Sequence, residues 1–282
     1  MKSLNMERKS FWTLSVLVFA GTALCCFSAC TAARSPQPET AEWINEEKDI
    51  QVNGTGIHYL VKGPADGRKV ILLHGNGGSH MDLATVTEVL TKHNCLVYAP
   101  DSRGQGANPP LREYHYKDMA EDTYLFIQAL KIEKPAIFGH SDGGIIALSL
   151  EILHPGTASM LMSGGANIFP EGLPEETINE WKRTEDTLVP LTKMMLHEPC
   201  ISPEQLQSIA CPTLIMAGSE DCIQKEHTKL IAKSIPNSQL IILDGENHSS
   251  YIMNSPIAPS LILGFLELHS DRLVSHSKKK QR

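Results

Sequence analysis

The run Gly139-His140-Ser141-Asp142-Gly143-Gly144 sets a serine among glycines, at the point where the apolar stretch Ala136-Ile137-Phe138 gives way to a helix-like one. A tight strand-to-helix turn of this kind needs glycines, because Cβ atoms would clash in it, and it projects the serine hydroxyl above the sheet. A glycine-rich helix start with an incidental serine is the plainer reading, and the strand–turn–helix context argues against it. A serine hydroxyl is a weak nucleophile until a base takes its proton. His248 lies in Asp244-Gly245-Glu246-Asn247-His248, after the strand-like segment 239–243, and Asp221 ends Gly218-Ser219-Glu220-Asp221, after the strand-like 213–217. The chain order is therefore Ser, Asp, His, each expected at the carboxyl end of a different strand, where open parallel sheets bind their ligands. Ser141 is predicted to be the nucleophile, His248 the general base and Asp221 the acid that orients it. His140, one of twelve histidines, reads as packing within the turn.

Acyl transfer also needs N–H donors for the oxyanion, and losing one such donor typically costs about 10²–10³ in rate. Leu73-His74-Gly75-Asn76-Gly77-Gly78 follows another apolar run, and the backbone N–H groups of Asn76 and Asp142 are the candidates. The same loop without that role is a simple turn. A phosphate cradle is excluded, because the Lys-Ser/Thr pair of a P-loop is missing. No cysteine or histidine spacing suits a metal, and the chemistry needs neither metal nor organic cofactor. The Asp142 carboxylate has two readings: it selects cationic substrates such as amino-acid esters or amides, or it turns aside and bonds a neighbouring backbone or His140. Trp181 and Met194 are the candidate substrate contacts, with plain core as the other reading for Met194.

These residues require elements to hold them. Strand-like runs are expected at 57–61 after an Asn53-Gly54 turn, and at 70–73, 95–99, 136–138, 160–162, 213–217 and 239–243. Helical periodicity covers 116–130, 144–153, about 225–234 and about 256–268. Strands alternating with helices mean a mostly parallel sheet covered on both faces. Between 166 and 208 five prolines surround an amphipathic stretch at 175–196, which reads as an insertion in that pattern.

The set His74-Gly75-Asn76-Gly77, Asp101-x-Arg103-Gly104-x-Gly106, Gly139-x-Ser141-x-Gly143, Gly218-x-x-Asp221 and His248 resembles the α/β-hydrolase family over about residues 50–268. It departs at Asn108, where the family usually has serine. The resemblance implies an α/β fold with a mostly parallel eight-stranded sheet, helices on both faces and a short lid at 166–208. It implies no substrate. A carboxylesterase acting on small to medium esters through an acyl-enzyme is the main expectation, because the lid is short and much of it must pack its own Phe169, Trp181, Leu191 and Met195. Amino-acid esters or amides fall within it. C–C bond hydrolysis or perhydrolysis on the same residues, and a slow hydrolase-fold receptor, are the alternatives.

The 282 residues, 41% hydrophobic, suffice for one catalytic domain, and the formal charge of −7 argues against a nucleic-acid partner. Lys2, Arg8 and Lys9 precede an apolar run at 11–27, and Phe27-Ser28-Ala29-Cys30 resembles the lipobox of bacterial lipoproteins. Residues 1–29 would then be a signal peptide, Cys30 a lipidated anchor in the bilayer of the cell envelope, and 30–44 a tether to a domain at 45–275. Cleavage near Ala32 or Ala33, giving a secreted protein, and an uncleaved anchor are the competing readings. Residues 1–29 carry three Lys/Arg and one Glu, so their removal takes the charge to −9. The basic run in 276–282 reads as a solvated tail. Cys95, Cys200, Cys211 and Cys222 read as buried free thiols, a Cys200–Cys211 bridge being the lesser alternative.

Overall fold

The computed structural model describes residues 41–279, with side chains through 270. The expected signal peptide, Cys30 and most of the tether lie outside the described residues. Eight strands form one sheet: β1 (Trp43–Val52), β2 (Thr55–Pro64), β3 (Arg68–Leu73), β4 (Cys95–Pro100), β5 (Ala136–His140), β6 (Met160–Gly164), β7 (Thr213–Glu220) and β8 (Ser238–Asn247), in the order β1-β2-β4-β3-β5-β6-β7-β8. β2 pairs antiparallel with both β1 and β4, and every other pairing is parallel. The helices are α1 (Ala84–Lys92), α2 (Tyr116–Ala129), α3 (Asp142–Leu153), α4 (Glu175–Arg183), α5 (Pro190–His197), α6 (Pro203–Leu206), α7 (Lys225–Ser234) and α8 (Ile257–Lys279).

The central strands are apolar throughout because both faces are covered. Val70, Leu72, Ala136, Phe138, Met160, Met162, Leu214 and Met216 pack with Leu83, Val86 and Leu90 around α1 and with Ala258, Ile262 and Phe265 of α8. The residues between them, Ile71, Leu73, Ile137, Leu161 and Ile215, point the other way into a core shared with α2, α3 and α7. Alternation of side chains along a strand sends successive residues to opposite faces. Each fully buried Leu, Ile or Phe contributes about 1.5–3 kcal/mol.

β1 starts at Trp43, two residues inside the segment expected to be tether, and its side chains are mostly exposed. Backbone pairing with β2 creates this edge strand, so it leaves no hydrophobic alternation to read. Helix α1 likewise stands where no helix is expected. The four cysteines of the domain are free; Cys95 is buried, whereas Cys200 and Cys222 are exposed, contrary to the expectation of buried thiols.

The insertion at 166–208 is helical and fastened at both ends. Where it leaves the sheet, the backbone N–H of Ile168 donates to Nε2 of buried His227 at 2.9 Å, and the Phe169 ring packs edge-on against that imidazole. Gln224, just before α7, donates to the carbonyl of Leu173. Where it returns, Glu198 accepts from the His115 ring at 2.6 Å and from the Tyr116 N–H at 3.0 Å, at the start of α2.

Burial keeps His227 neutral, with its pKa lowered from 6.5 to about 4. The unfolded chain therefore binds the extra proton first, so the stability His227 supports is present above pH 6.5 and is lost as pH falls toward 4. Glutamine preserves an acceptor for Ile168 without titrating. In urea denaturation between pH 7 and 4, His227→Gln should lose stability less steeply than the natural protein, by up to about 1.4 kcal/mol per pH unit; parallel curves would refute this.

Candidate active site

Ser141 stands between β5 and α3 at φ 55°, in the left-handed region that a non-glycine residue enters only under constraint. The constraint is close packing. A Cβ on Gly143 would lie 2.1 Å from the Leu73 carbonyl oxygen, so the first turn of α3 rests directly on the end of β3. With α3 pressed against the sheet, the chain reverses within one residue and the serine side chain stands clear of it.

β5, β6, β7 and β8 are parallel neighbours, so their carboxyl ends open on the same side. Asp221 immediately follows β7, and His248 immediately follows β8. The Ser141 hydroxyl donates to His248 Nε2 at 2.9 Å, and His248 Nδ1 donates to Asp221 Oδ1 at 2.7 Å. Between them, at the end of β6, Gly165 has φ +66°, and a Cβ there would come within 2.9 Å of the His248 ring. A glycine is required for that imidazole to lean across β6. The three residues predicted from sequence are thus brought into one hydrogen-bonded line.

The electrostatics along this line favour charge separation. Burial alone would raise the pKa of Asp221, but the His248 hydrogen bond and the N–H of Ile223 outweigh it and hold the carboxyl below its ordinary range. Burial likewise opposes a proton on His248, and the hydrogen bond to Asp221, with the Cys222 sulfur beside it, overcomes this and makes the imidazole more basic than usual. His140 does more than pack: its Nε2–H donates to the His248 carbonyl at 2.8 Å, fixing the backbone of that loop. Burial lowers the His140 pKa to about 4, so it stays neutral in this role.

The loop at 74–78 passes beside the serine. The Asn76 N–H has no acceptor among the described residues, and that of Asp142 opens helix α3, where N–H groups lack intrahelical partners. A polar scaffold positions both. His74 Nε2 accepts from the Ser102 N–H at 2.9 Å, and the Gln105 side chain accepts from the Gly77 N–H at 2.7 Å. Asn108, in the place of the family's usual serine, bonds the carbonyls of Asp101 and Ser102 and the N–H of His58, and so braces the neighbouring loop. Arg103 pairs with Asp122 through two N–H···O bonds of 2.5 Å, tying that loop to α2.

The Asp142 side chain is turned aside. Its carboxylate, 2% exposed, accepts from Asn76 Nδ2 at 2.8 Å and from the Tyr116 hydroxyl at 2.7 Å. The partners are neither a backbone group nor His140, the two neighbours anticipated for this geometry. This bond joins the two residues whose N–H groups are the oxyanion candidates. Tyr116 carried no signal in the sequence, because only the packing of α2 against α3 brings its hydroxyl to the turn.

A cleft of about 480 Å³ opens over Ser141 and His248, walled by Leu173, Pro174, Thr177, Trp181, Met195, Cys222 and Met253. Trp181 is where the sequence places it. Met194 is not: it is buried in the core shared with α2 and α3, and its neighbour Met195 faces the cleft, because one residue along a helix turns the side chain by about 100°. Larger hollows lie near the start and the end of α2, away from Ser141.

Residues 69–193 match the family model of the α/β hydrolase fold. The human serine hydrolase BPHL is 28% identical over 236 residues, which cover 72% of this chain and 80% of that protein. Among solved structures, a carboxylesterase of Nitrososphaera gargenis superposes with a TM-score of 0.68 at 20% identity, covering 80% of this chain and all of the other. The enol-lactonase of Burkholderia xenovorans LB400 gives a TM-score of 0.65 at 19% identity over 78% of this chain and all of that one.

A methyl group at residue 143 would be forced against backbone that cannot yield, so Gly143→Ala should cost about 3 kcal/mol in urea denaturation; a cost near zero would refute the close-packing account. By its strand order, by the family match and by these relatives, the chain is a protein of the α/β-hydrolase fold.

Proposed function

We propose that the protein is a serine hydrolase that cleaves small to medium carboxylic esters through an acyl-enzyme. The observation that carries this reading is the unbroken line of hydrogen bonds from Asp221 through His248 to Ser141, beside two backbone N–H groups with no partner among the described residues. Ser141 Oγ attacks the ester carbonyl while His248 Nε2 takes its proton, and Asp221 steadies the imidazolium that forms. The carbonyl oxygen, now negative, is met by the N–H groups of Asn76 and Asp142. On collapse His248 returns the proton to the departing alcohol, leaving Ser141 acylated. Water, deprotonated by the same imidazole, then attacks the acyl group and releases the acid. The sequence-related serine hydrolase BPHL supports the class of reaction.

The cleft favours compact, largely apolar acyl or alcohol groups, because Leu173, Trp181, Met195 and Met253 form much of its wall. Selection of cationic amino-acid esters by Asp142 gains no support from this geometry. Both carboxylate oxygens are engaged and buried, and a substrate ammonium would have to displace Asn76 or Tyr116 to reach them.

Fluorophosphonate should label the natural protein and not Ser141→Ala; absence of labelling in the folded natural protein would refute the reading. His248 acts only when neutral, and its pKa lies above the ordinary 6.5, so kcat/KM for p-nitrophenyl acetate should still be climbing as pH passes through 6.5 and level off higher. A plateau already reached at pH 6 would contradict this.

The envelope location is proposed on the sequence alone, from the basic start, the apolar run and Phe27-Ser28-Ala29-Cys30. Metabolic labelling with palmitate should be present in the natural protein and lost in Cys30→Ala. Equal labelling of the two, or none in either, would reject lipidation at Cys30.

A further inference from the structure

We propose that Cys222, His248 and Asp221 form an inhibitory binding site for a borderline-soft divalent cation, of which zinc is the type, at the edge of the Ser141 cleft. Ligating atoms of the three residues, a thiol sulfur, an imidazole nitrogen and a carboxylate oxygen, all lie within 4.8 Å of one another. Around a tetrahedral zinc ion such atoms are roughly 3.3–3.6 Å apart, given metal distances of about 2.0–2.3 Å. The three atoms therefore have to close by up to about 1 Å, and a rotation of the exposed Cys222 side chain can bring its sulfur inward by that much. A second observation points the same way. Oδ1 of Asp221 is occupied by His248 and the Ile223 N–H, but its Oδ2 is buried with no hydrogen bond of good geometry, and the Cys222 thiol is the polar group that approaches the carboxylate. A buried carboxylate oxygen left unpaired is costly, and a cation satisfies it.

The donor set decides the kind of ion. One thiolate and one imidazole select zinc or a similar ion over magnesium or calcium, which prefer oxygen ligands throughout. With three protein ligands, the fourth position is left to water.

Binding has a defined effect on the proton inventory. The Cys222 thiol releases its proton to solvent as the metal–sulfur bond forms. Asp221 lies on the Nδ1 side of the imidazole, so the metal takes Nδ1 of His248, and the proton there moves to Nε2, which then donates to Ser141. The imidazole then has no free lone pair with which to accept the Ser141 proton, so hydrolysis stops until the ion leaves. Metal binding does not depend on the proposed hydrolase activity. Inhibition does rest on that reading.

The test separates the two. Cobalt(II), titrated into the whole folded protein in chelator-free buffer, should produce a thiolate-to-cobalt charge-transfer band in the near ultraviolet. Cys222→Ser and Cys222→Ala should both lack it. Zinc chloride should inhibit hydrolysis of p-nitrophenyl acetate, reversibly on addition of EDTA. With each variant scaled to its own metal-free rate, the half-inhibitory zinc concentration should rise tenfold or more in both Cys222 variants, a direct ligand mattering at least as much as the outer-shell groups that cost 10–100-fold. A cobalt band in a protein with no esterase activity would support the site and overturn the hydrolase reading instead. No band in the folded natural protein, or equal zinc sensitivity in natural and variant proteins, would overturn the metal site.

Discussion

The carbonyl oxygen of Leu73 lies so close to Gly143 that there is no room between them for a methyl group, and much of the molecule is arranged around that contact. It seats the first turn of α3 on the end of β3. It also compels the chain leaving β5 to reverse at Ser141 with φ 55°. A conformation of this kind costs of order 1–3 kcal/mol and persists only where its surroundings leave no alternative. Here α3 is buried against the sheet on one side and α2 on the other, so the strained residue has no freedom to relax. The result is a hydroxyl held at a fixed height above the sheet, next to the positive end of a helix.

The groups around that hydroxyl are fixed by chains of polar contacts rather than by apolar packing. His74 and Gln105 hold the loop at 74–78 against the loop at 101–108, and Arg103 holds the latter to α2. Asp142 closes the circuit by bonding Asn76 and Tyr116 together. An N–H group aimed in advance costs no reorganisation when negative charge develops, which is the physical value of such a scaffold. His140 plays the same part for His248, acting on its backbone carbonyl while the imidazole remains free to exchange protons.

The insertion differs in character. It contributes much of the cleft wall from short helices whose Leu173, Ile178 and Leu196 form a small cluster with Ile223 of the loop after β7. It is joined to the body by polar clamps at His227 and Glu198. Little apolar area supports α4, whose Ile178 is its one buried residue. The α4 part of the cleft wall is therefore thinly cored, whereas the turn at Ser141 is closely packed.

The sequence by itself determined the alternating strands and helices, the tight glycine-flanked turn at Ser141 and the chain order of serine, aspartate and histidine. Each of these is carried by local chemistry: runs of apolar residues, glycines where no Cβ fits, and polar residues just past strand ends. Tertiary structure alone decided the rest. β1 could not be read because its stability comes from backbone pairing with β2, which leaves no pattern in the side chains. Met195 rather than Met194 faces the cleft because the tilt of α5 is set by what it packs on, and adjacent helical residues read alike in a sequence. Tyr116 at Asp142, His140 at the His248 carbonyl, His227 under the insertion and Cys222 beside His248 are all meetings between elements distant in the chain. No spacing encodes them, since they exist only once the sheet has brought its carboxyl ends together.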